Sequence, residues 1–390
     1  MAIASRITNP EPDRADPNGP FRIMLVDDSA VIRGMLHRWL SADRECQIVG
    51  SYHNGLQAVQ HVKSCGAEIV ILDIEMPEMD GLTALPQLIR QVPGIKVLMA
   101  STLTRRNADS SMRALSMGAV DYLPKPESAR SGTASADFQR DLLLKVKAIG
   151  SALRNRRAVA PPGRRPAAST TASVPLQAPF NVKNPSKEIV LRAGSKSRTE
   201  ILAIGSSTGG PQALFTLLGE LKSAIRVPVV ITQHMPPTFT AILAEHIQSL
   251  TGLTAREAAH GDALRNGEIL VAPGNYHMTV VRKGMEKIVH LDQNPQVNFC
   301  RPAVDPMFES VAAIYGSSAL AVVLTGMGHD GRDGGRKLVE AGGTILAQDE
   351  KSSVVWGMPG AVAEAGLCSA VIPLSEMALL IKRYLLGGGV

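Results

Sequence analysis

The chain has 390 residues, of which 45% are hydrophobic and 19% are charged, a length that fits about two folded domains. Aromatic residues make up only 4%, which argues against the stacking platforms of proteins that bind single-stranded nucleic acid. The net charge of the chain is +6, but residues 130–199 contain 14 Lys and Arg against 3 Asp and Glu, a local charge of +11. The rest of the chain therefore carries a net charge of 6 − 11 = −5. We therefore expect no nucleic-acid partner.

The four cysteines form no CxxC pair, which argues against a disulfide framework or a cysteine-based zinc site; they are Cys46, Cys65, Cys300 and Cys368. The N-terminal residues lack the hydrophobic core of a signal peptide, and no apolar run reaches the roughly 18 residues of a membrane-spanning helix. We expect a cytoplasmic protein without membrane insertion, with a disordered tail over residues 1–20.

From residue 21 onward, short apolar strands alternate with amphipathic helices. Strands are predicted at Arg22–Val26, Ile48–Ser51, Glu68–Leu72, Lys96–Ala100 and Val120–Leu123. Helices are predicted at Ala30–Leu40, Gly55–Ser64, Gly81–Gln91 and Asn107–Met117. This alternation predicts a parallel sheet, and five strands over residues 21–128 match the size of a flavodoxin-like α/β domain.

Residues 129–188 are predicted to connect this domain to a second one. A helix is expected at Phe138–Asn155, because Leu142, Val146 and Ile149 recur on one face. Residues 156–187 have no apolar period and are rich in Pro, Ala, Ser and Arg, which is typical of a semi-extended linker. Its positive charge could contact acidic partners or anionic lipid, although a solvated tether is the simpler interpretation.

A second α/β pattern extends over residues 189–390. Strands are predicted at Ile201–Ile204, Val227–Thr232, Glu268–Val271, Leu320–Leu324, Thr344–Ala347 and Ala370–Pro373. Helices lie between several of them, for example at Pro211–Leu221, Pro237–Thr251 and Gly334–Ala341. The pattern again predicts a doubly wound parallel sheet covered by helices on both faces.

In the first domain, polar residues follow the carboxyl ends of four strands. These are Asp27 and Asp28, Asp73, Ser101, and Lys125. In an open parallel sheet these ends share one crevice, and three crowded carboxylates favour a bound Mg²⁺. A carboxylate beside the metal could then accept a phosphoryl group, which Lys125 would pair with and Ser101 would hydrogen-bond. Asp27 and Asp28 alone would be ordinary helix-capping residues.

In the second domain, the strand at Ile201 turns into a helix through a run of small residues. This run, Ser206 to Pro211, can present a serine hydroxyl and backbone N–H groups at the helix N-terminus. Gly205, Ser207 and Gly209 satisfy the short pattern GxSxG, which is weak evidence by itself. Phosphate binding by a glycine-rich loop is the alternative, but no nucleotide-binding motif is present.

A nucleophilic serine needs a base, and His234 follows the next strand. Asp330 follows a third strand, so Ser207, His234 and Asp330 can meet above the sheet as nucleophile, base and orienting carboxylate. The order Ser–His–Asp differs from that of α/β-hydrolases. From the residues alone, Ser206 competes with Ser207, and three histidines compete with His234: His260, His277 and His329.

The segments VDDSAVIR, ILDIEMPEMDG, LMAST and YLPKP resemble the receiver domain of two-component response regulators. The resemblance implies that a histidine kinase phosphorylates Asp73, and that Asp27, Asp28, Asp73 and the backbone carbonyl of Glu75 bind Mg²⁺. It also implies that Ser101 and Lys125 sense the phosphoryl group and that Tyr122 is the aromatic residue that changes rotamer.

The segments IGSSTGGPQAL, ITQHMP, ILVAPGNYHM and LTGMGHDG resemble the catalytic domain of the CheB family. The resemblance implies a methylesterase and glutamine deamidase that acts on methylated chemoreceptors, needs no esterase cofactor and is recruited to membrane receptor arrays. It implies Ser207, His234 and Asp330 as the triad, with Thr208 and Met327 near the oxyanion. Two residues depart from the family: His329 stands where Asn is frequent, and Cys300 where His is usual.

Two other functions remain as alternatives. A non-enzymatic signalling adaptor would use the second domain only for binding, and the intact Ser/His/Asp set argues against it. A DNA-binding response regulator would need a helix-turn-helix after the receiver, where the sequence has a glycine-rich α/β pattern instead.

Overall fold

The computed structural model describes residues 19–102, 104–125, 132–159 and 189–387. The first sheet has five parallel strands: β1 Phe21–Val26, β2 Cys46–Tyr52, β3 Ile69–Asp73, β4 Lys96–Thr102 and β5 Asp121–Lys125. Its order is β2-β1-β3-β4-β5, the flavodoxin-like order, as predicted. Its helices are α1 Ala30–Ser41, α2 Gly55–Cys65, α3 Gly81–Gln91, α4 Arg105–Ser116 and α5 Gly132–Val159.

Helix α5 packs against the first sheet. Its residues Leu142, Val146 and Ile149 are fully buried in a cluster that includes Ile23 and Leu25 of β1. The sequence predicts this helix within the segment between the domains, but its apolar stripe makes it a layer of the first domain. The predicted tail up to residue 18 and the segment 160–188 lie outside the described residues, so the predicted limits of the linker stay a prediction.

The second sheet has seven parallel strands: β6 Ile201–Ser206, β7 Val229–Gln233, β8 Ala255–Glu257, β9 Ile269–Val271, β12 Ala319–Val323, β13 Thr344–Gln348 and β14 Ala370–Ile372. Their order is β14-β13-β12-β6-β7-β9-β8. An antiparallel hairpin, β10 His277–Lys283 and β11 Glu286–Asp292, lies outside this sheet and was not predicted.

Six helices cover the second sheet. They are α6 Gly210–Leu221, α7 Phe239–Thr251, α8 Val304–Tyr315, α9 Arg332–Glu340, α10 Met358–Glu364 and α11 Leu374–Leu385. Buried aliphatic side chains form a core on each face of the sheet, so the predicted doubly wound α/β architecture is confirmed. Among the described residues, no helix is long and apolar enough to cross a membrane.

The two domains contact each other directly. Helix α4 packs on α7, and the ring of Tyr122 stacks on Phe239 with centroids 4.3 Å apart. An exposed ion pair lies at this contact, Arg105 with Glu245 at 2.6 Å, and Nε2 of His246 lies within hydrogen-bond distance of Asp109 at 3.1 Å. Tyr122 ends up almost fully buried, so the first domain's switch candidate lies inside the domain interface.

Candidate active site and phosphoacceptor site

The strand order brings the predicted triad to one edge of the second sheet. Strand β6 pairs with β7 on one side and with β12 on the other. Ser206 of β6 is paired in register with Gln233 of β7, so Ser207 and His234 are the next residues on adjacent strands. Asp330 follows β12. The site therefore lies at the switch point beyond the carboxyl ends of the strands, where ligands bind in doubly wound sheets.

The turn between β6 and α6 requires glycine. Gly209 has φ 76°, and a Cβ there would lie 2.5 Å from the side chain of Val354. Gly326, after β12, packs directly on Ser207, because a Cβ at Gly326 would lie 2.9 Å from the Cβ of Ser207. These close approaches fix the position of Ser207 from two sides.

Ser206 and Ser207 have different surroundings. Ser206 is fully buried, and its hydroxyl donates to Oε1 of Gln233 at 2.7 Å. Ser207 is partly exposed, and among the hydrogen bonds of the described residues none involves its Oγ. Gln233 also donates through Nε2 to the carbonyl of Ser207 at 2.9 Å, which ties the two strand ends together. The geometry thus favours Ser207 as the accessible hydroxyl.

His234 and Asp330 are in direct contact. Nε2 of His234 lies 2.7 Å from Oδ2 of Asp330, and both side chains are largely buried. Because the carboxylate can only accept, Nε2 carries the proton and Nδ1 remains as the basic nitrogen. Burial alone would raise the pKa of Asp330, but the hydrogen bond to His234, its charge and the backbone N–H groups of Val304 and Asp305 lower it to about 2.

The N-terminus of helix α8 holds the Asp330 carboxylate. The N–H of Val304 donates to Oδ2 at 2.6 Å, and the N–H of Asp305 donates to Oδ1 at 3.0 Å. The Asn298 amide donates to Oδ1 at 3.2 Å and also reaches Asp305 at 3.0 Å. Unpaired helix N–H groups stabilise a negative charge at this position, so Asp330 remains a carboxylate beside the imidazole.

Cys300 occupies the other side of the imidazole ring. Its Sγ lies 3.4 Å from Nδ1 of His234, the nitrogen that would receive the serine proton. Burial opposes a charge on His234, but the charge of the Cys300 sulfur and the hydrogen bond that Nε2 donates to Asp330 outweigh it, so the pKa of His234 is raised. Cys300, one of the two residues that depart from the family pattern, therefore contacts the predicted base directly.

The competing histidines are engaged elsewhere or exposed. His277 uses both ring nitrogens, toward the carbonyl of Pro295 and the N–H of Ala303. His260 hydrogen-bonds the backbone of Leu291, and His329 is exposed. Of these histidines only His234 contacts Asp330, which supports the prediction that it is the base.

The two predicted oxyanion residues lie beside Ser207. Thr208 is buried, and its Oγ1 has no hydrogen-bond partner within the part of the chain that the structure describes. Its carbonyl accepts from the Thr325 hydroxyl at 2.9 Å, which anchors the turn. Met327 is partly buried and packs against the core cluster of the first domain together with Val354. Their catalytic roles stay predictions.

The acidic cluster of the first domain is also assembled. Carboxylate oxygens of Asp27, Asp28 and Asp73 lie within 4.8 Å of one another. Lys125 Nζ lies 2.6 Å from Asp27 and 2.7 Å from Asp73. Burial raises the pKa of Asp73 to about 6, an effect that the Lys125 charge opposes and the Asp27 charge adds to. Three carboxylates against one lysine leave a charge of −2, which suits a divalent cation.

The switch candidates surround this cluster. The Ser101 hydroxyl is buried and lies 3.0 Å from that of Ser111, ten residues further along the chain, rather than on Asp73. Tyr122 stacks on Phe239, and Lys145 lies 5.2 Å from its ring centroid. The Glu75 side chain is exposed and points toward Arg106 at 4.0 Å, so only its backbone could join the carboxylates. The switch and metal roles stay predictions.

Comparison with known proteins matches both halves of the chain. Residues 202–381 match the family described as CheB methylesterase, and residues 23–136 match the response regulator receiver domain. A protein-glutamate methylesterase/protein-glutamine glutaminase of Paramagnetospirillum magneticum is 53% identical over 93% of this chain and 96% of its own length. Its counterpart in Rhodospirillum rubrum is 51% identical over 97% and 98%. The chain belongs to the CheB methylesterase family.

Within this CheB-type catalytic domain, sequence reasoning missed four residues that support the triad. Gln233 joins the ends of β6 and β7, and Asn298 and Asp305 hold Asp330. Cys300 was noted only as a departure from the family, and its contact with His234 was not foreseen. Gln233 directly precedes His234, whereas no spacing rule links the other three residues to the triad, because a loop and the start of α8 bring them there.

Proposed function

We propose that this protein is a phosphorylation-regulated serine esterase that hydrolyses glutamate methyl esters on chemoreceptors and deamidates receptor glutamines. One observation carries the proposal. An accessible serine at a strand–helix turn lies one residue beyond the paired strand ends, beside a histidine whose Nε2 is 2.7 Å from a buried carboxylate. This combination supports acyl transfer through a serine nucleophile.

The proton path follows from the ring contacts of His234. Asp330 occupies Nε2, so Ser207 would pass its proton to Nδ1 as its Oγ attacks the ester carbonyl. The protonated ring would then give the proton to the departing methoxide, which leaves as methanol. In the second half, Nδ1 would take a proton from the water that attacks the acyl-enzyme and return it to the Ser207 oxygen, which releases the glutamate. A hydrogen bond from Ser207 to Nδ1 is expected to form when substrate binds, since such contacts tighten in the reactive complex.

The negative oxygen that develops in the intermediate needs donors. The turn after Ser207 leads into α6, where Gly210 already donates its N–H to the carbonyl of Ser207 at 2.7 Å and Pro211 has no N–H, so the donors must come from the turn itself. Thr208 would contribute its backbone N–H, and its orphan hydroxyl is a second candidate donor. A glutamine amide reaches the same intermediate and differs only in its leaving group, so deamidation needs no further residue.

Regulation would begin at Asp73. The Asp27, Asp28 and Asp73 carboxylates, with the Glu75 carbonyl, would hold Mg²⁺, which offsets the charge of an incoming phosphoryl group. A histidine kinase would be the phosphodonor. Lys125, already paired with Asp27 and Asp73, would stabilise the phosphorylated aspartate, and Ser101 would leave Ser111 to hydrogen-bond it.

The unphosphorylated receiver would restrain the esterase by covering the entrance to the site formed by Ser207, His234 and Asp330. Met327, Val354 and Val355, all next to the Ser207 turn, pack against the core cluster that includes residues of α5. Tyr122 contacts Phe239, the first residue of the helix that follows the His234 loop. A rearrangement at Asp73 would therefore reach this entrance through α5 and through the Tyr122–Phe239 stack.

The direct test is methanol release from a methylated receptor by Ser207→Ala and Ser206→Ala. Ser207→Ala should lower turnover by several orders of magnitude with the fold intact. Ser206→Ala should retain most of the turnover but lose about 1–3 kcal/mol of stability, because it leaves the buried Gln233 oxygen unpaired. An inactive Ser206→Ala beside an active Ser207→Ala would show that the nucleophile is wrongly assigned.

A further inference from the structure

A strained two-residue turn lies beside the catalytic base. Val297 and Cys300 exchange backbone hydrogen bonds of 3.1 and 2.9 Å, so Asn298 and Phe299 form the tip of a tight hairpin. Both tip residues have positive φ, 53° for Asn298 and 62° for Phe299. Turns of this kind favour Asn followed by Gly, because a bulky side chain is unfavourable at positive φ.

The two sequence neighbours of Phe299 contact residues of the triad through their side chains. Asn298 hydrogen-bonds Asp330, and Cys300 contacts His234. Phe299, between them, is 78% exposed and is therefore not part of the core. Glycine would make the same backbone hydrogen bonds without strain, so folding does not account for the aromatic ring. Backbone strain at such a position points to a role in function.

Among the residues that the structure describes, the ring has one cation–π partner. The guanidinium of Arg140, on helix α5 of the receiver, lies 5.6 Å from its centroid, a cation–π distance. Arg140 also pairs with Asp137 on the same helix at 3.0 Å. The contact spans the two domains at the rim of the triad, yet it leaves most of the ring open to solvent.

The geometry points to Phe299 as a residue that contacts the receptor, with Arg140 of the receiver masking it before phosphorylation. The inference rests on the proposed function. An ester on a protein surface must reach Ser207 past this rim, and an exposed ring there offers an apolar contact to the helix that carries the ester. Since Asn298 and Cys300 bind the triad, they fix the ring's position relative to the reacting group.

The test uses the full chain with phosphodonor and Mg²⁺, and measures methanol release over a range of methylated-receptor concentrations. Phe299→Gly should raise KM for the receptor about tenfold and change kcat much less, because an aromatic contact is lost from binding. Phe299→Tyr keeps the ring and should retain the wild-type KM. Met285→Ala, at the fully exposed tip of the β10–β11 hairpin, is the matched control and should change neither value.

Melting temperature separates this role from a structural one. Phe299→Gly relieves the positive φ and should melt at or above the wild-type temperature. A lower melting temperature, or a wild-type KM in Phe299→Gly, would overturn the inference.

The masking by Arg140 is tested without phosphodonor. Arg140→Ala should raise the unphosphorylated rate about two- to fivefold, the ratio that corresponds to an exposed cation–π contact, and leave the phosphorylated rate unchanged. An unaltered unphosphorylated rate would refute the masking. Loss of turnover in Ser207→Ala tests the proposed function separately, so silent Phe299 and Arg140 variants beside an inactive Ser207→Ala would overturn this inference alone.

Discussion

Cys300 lies 3.4 Å from Nδ1 of His234, the nitrogen that accepts the serine proton in the proposed mechanism. The charge of its sulfur favours the imidazolium and contributes to the raised pKa of His234, despite the opposing effect of burial. A histidine with a raised pKa becomes a free base only at higher pH, so activity should fall toward neutral and acidic pH.

Replacing this sulfur should shift the pH profile. In Cys300→Ala the pKa of His234 should fall, so the rising limb of ester hydrolysis moves to lower pH and the rate at about pH 6–7 increases relative to the plateau. The profile of kcat/KM measures this directly. Cys65→Ala, a partly exposed cysteine of the first domain, is the control and should keep the wild-type profile. A limb that stays in place or moves to higher pH would contradict the role given to Cys300.

At the scale of elements, the site depends on how closely the turn after β12 approaches the turn after β6. A Cβ at Gly326 would meet Ser207 at 2.9 Å and the Met358 sulfur at 2.5 Å. Gly326→Ala should therefore push Ser207 out of position and lower kcat by at least about 10²-fold, because a displacement of roughly 1 Å is costly to catalysis. Circular dichroism should confirm that the variant is folded.

Gly219 of helix α6 provides the matched glycine control. The nearest atom to an added Cβ is 3.7 Å away, an ordinary contact. Gly219→Ala should keep full activity and gain about 0.5–1 kcal/mol of stability, since alanine favours a helix interior. Equal kcat values for Gly326→Ala and Gly219→Ala would show that the turn geometry does not limit catalysis.

How far the sequence predicts the site depends on whether a residue directly follows a strand. Ser207, His234 and Asp330 could be predicted because the alternation of strands and helices places all three beyond neighbouring strand ends. Asn298 and Phe299 could not, because their positions follow from a turn with two positive φ values that no composition rule indicates. Helix α5 was predicted from its apolar period, but its partner, the first sheet, was not.

At the scale of the whole molecule, exposed charges join the two domains. Arg105 pairs with Glu245 at 2.6 Å, and both side chains are more than half exposed, so the pair contributes at most about 1 kcal/mol. Arg105→Glu should raise the unphosphorylated rate up to about fivefold, because two glutamates would then face each other across the interface.

Restoring the pair with reversed charges distinguishes a contact from a general effect. Arg105→Glu combined with Glu245→Arg should return the rate to the wild-type level, and added salt should weaken the difference between the variants. The measurement is methanol release without phosphodonor over a series of salt concentrations. If the double variant remained as active as Arg105→Glu, the Arg105–Glu245 pair would not be what keeps the receiver against the esterase domain.

The central claim is that phosphorylation of Asp73 releases an esterase that acts through Ser207. The most direct measurement is the rate of methanol release from a methylated receptor by the full chain, before and after addition of phosphodonor and Mg²⁺. The wild type should accelerate, each tenfold corresponding to about 1.4 kcal/mol of altered domain equilibrium, and Asp73→Asn should stay at the low rate. Equal rates with and without phosphodonor in the wild type, or full acceleration in Asp73→Asn, would contradict it.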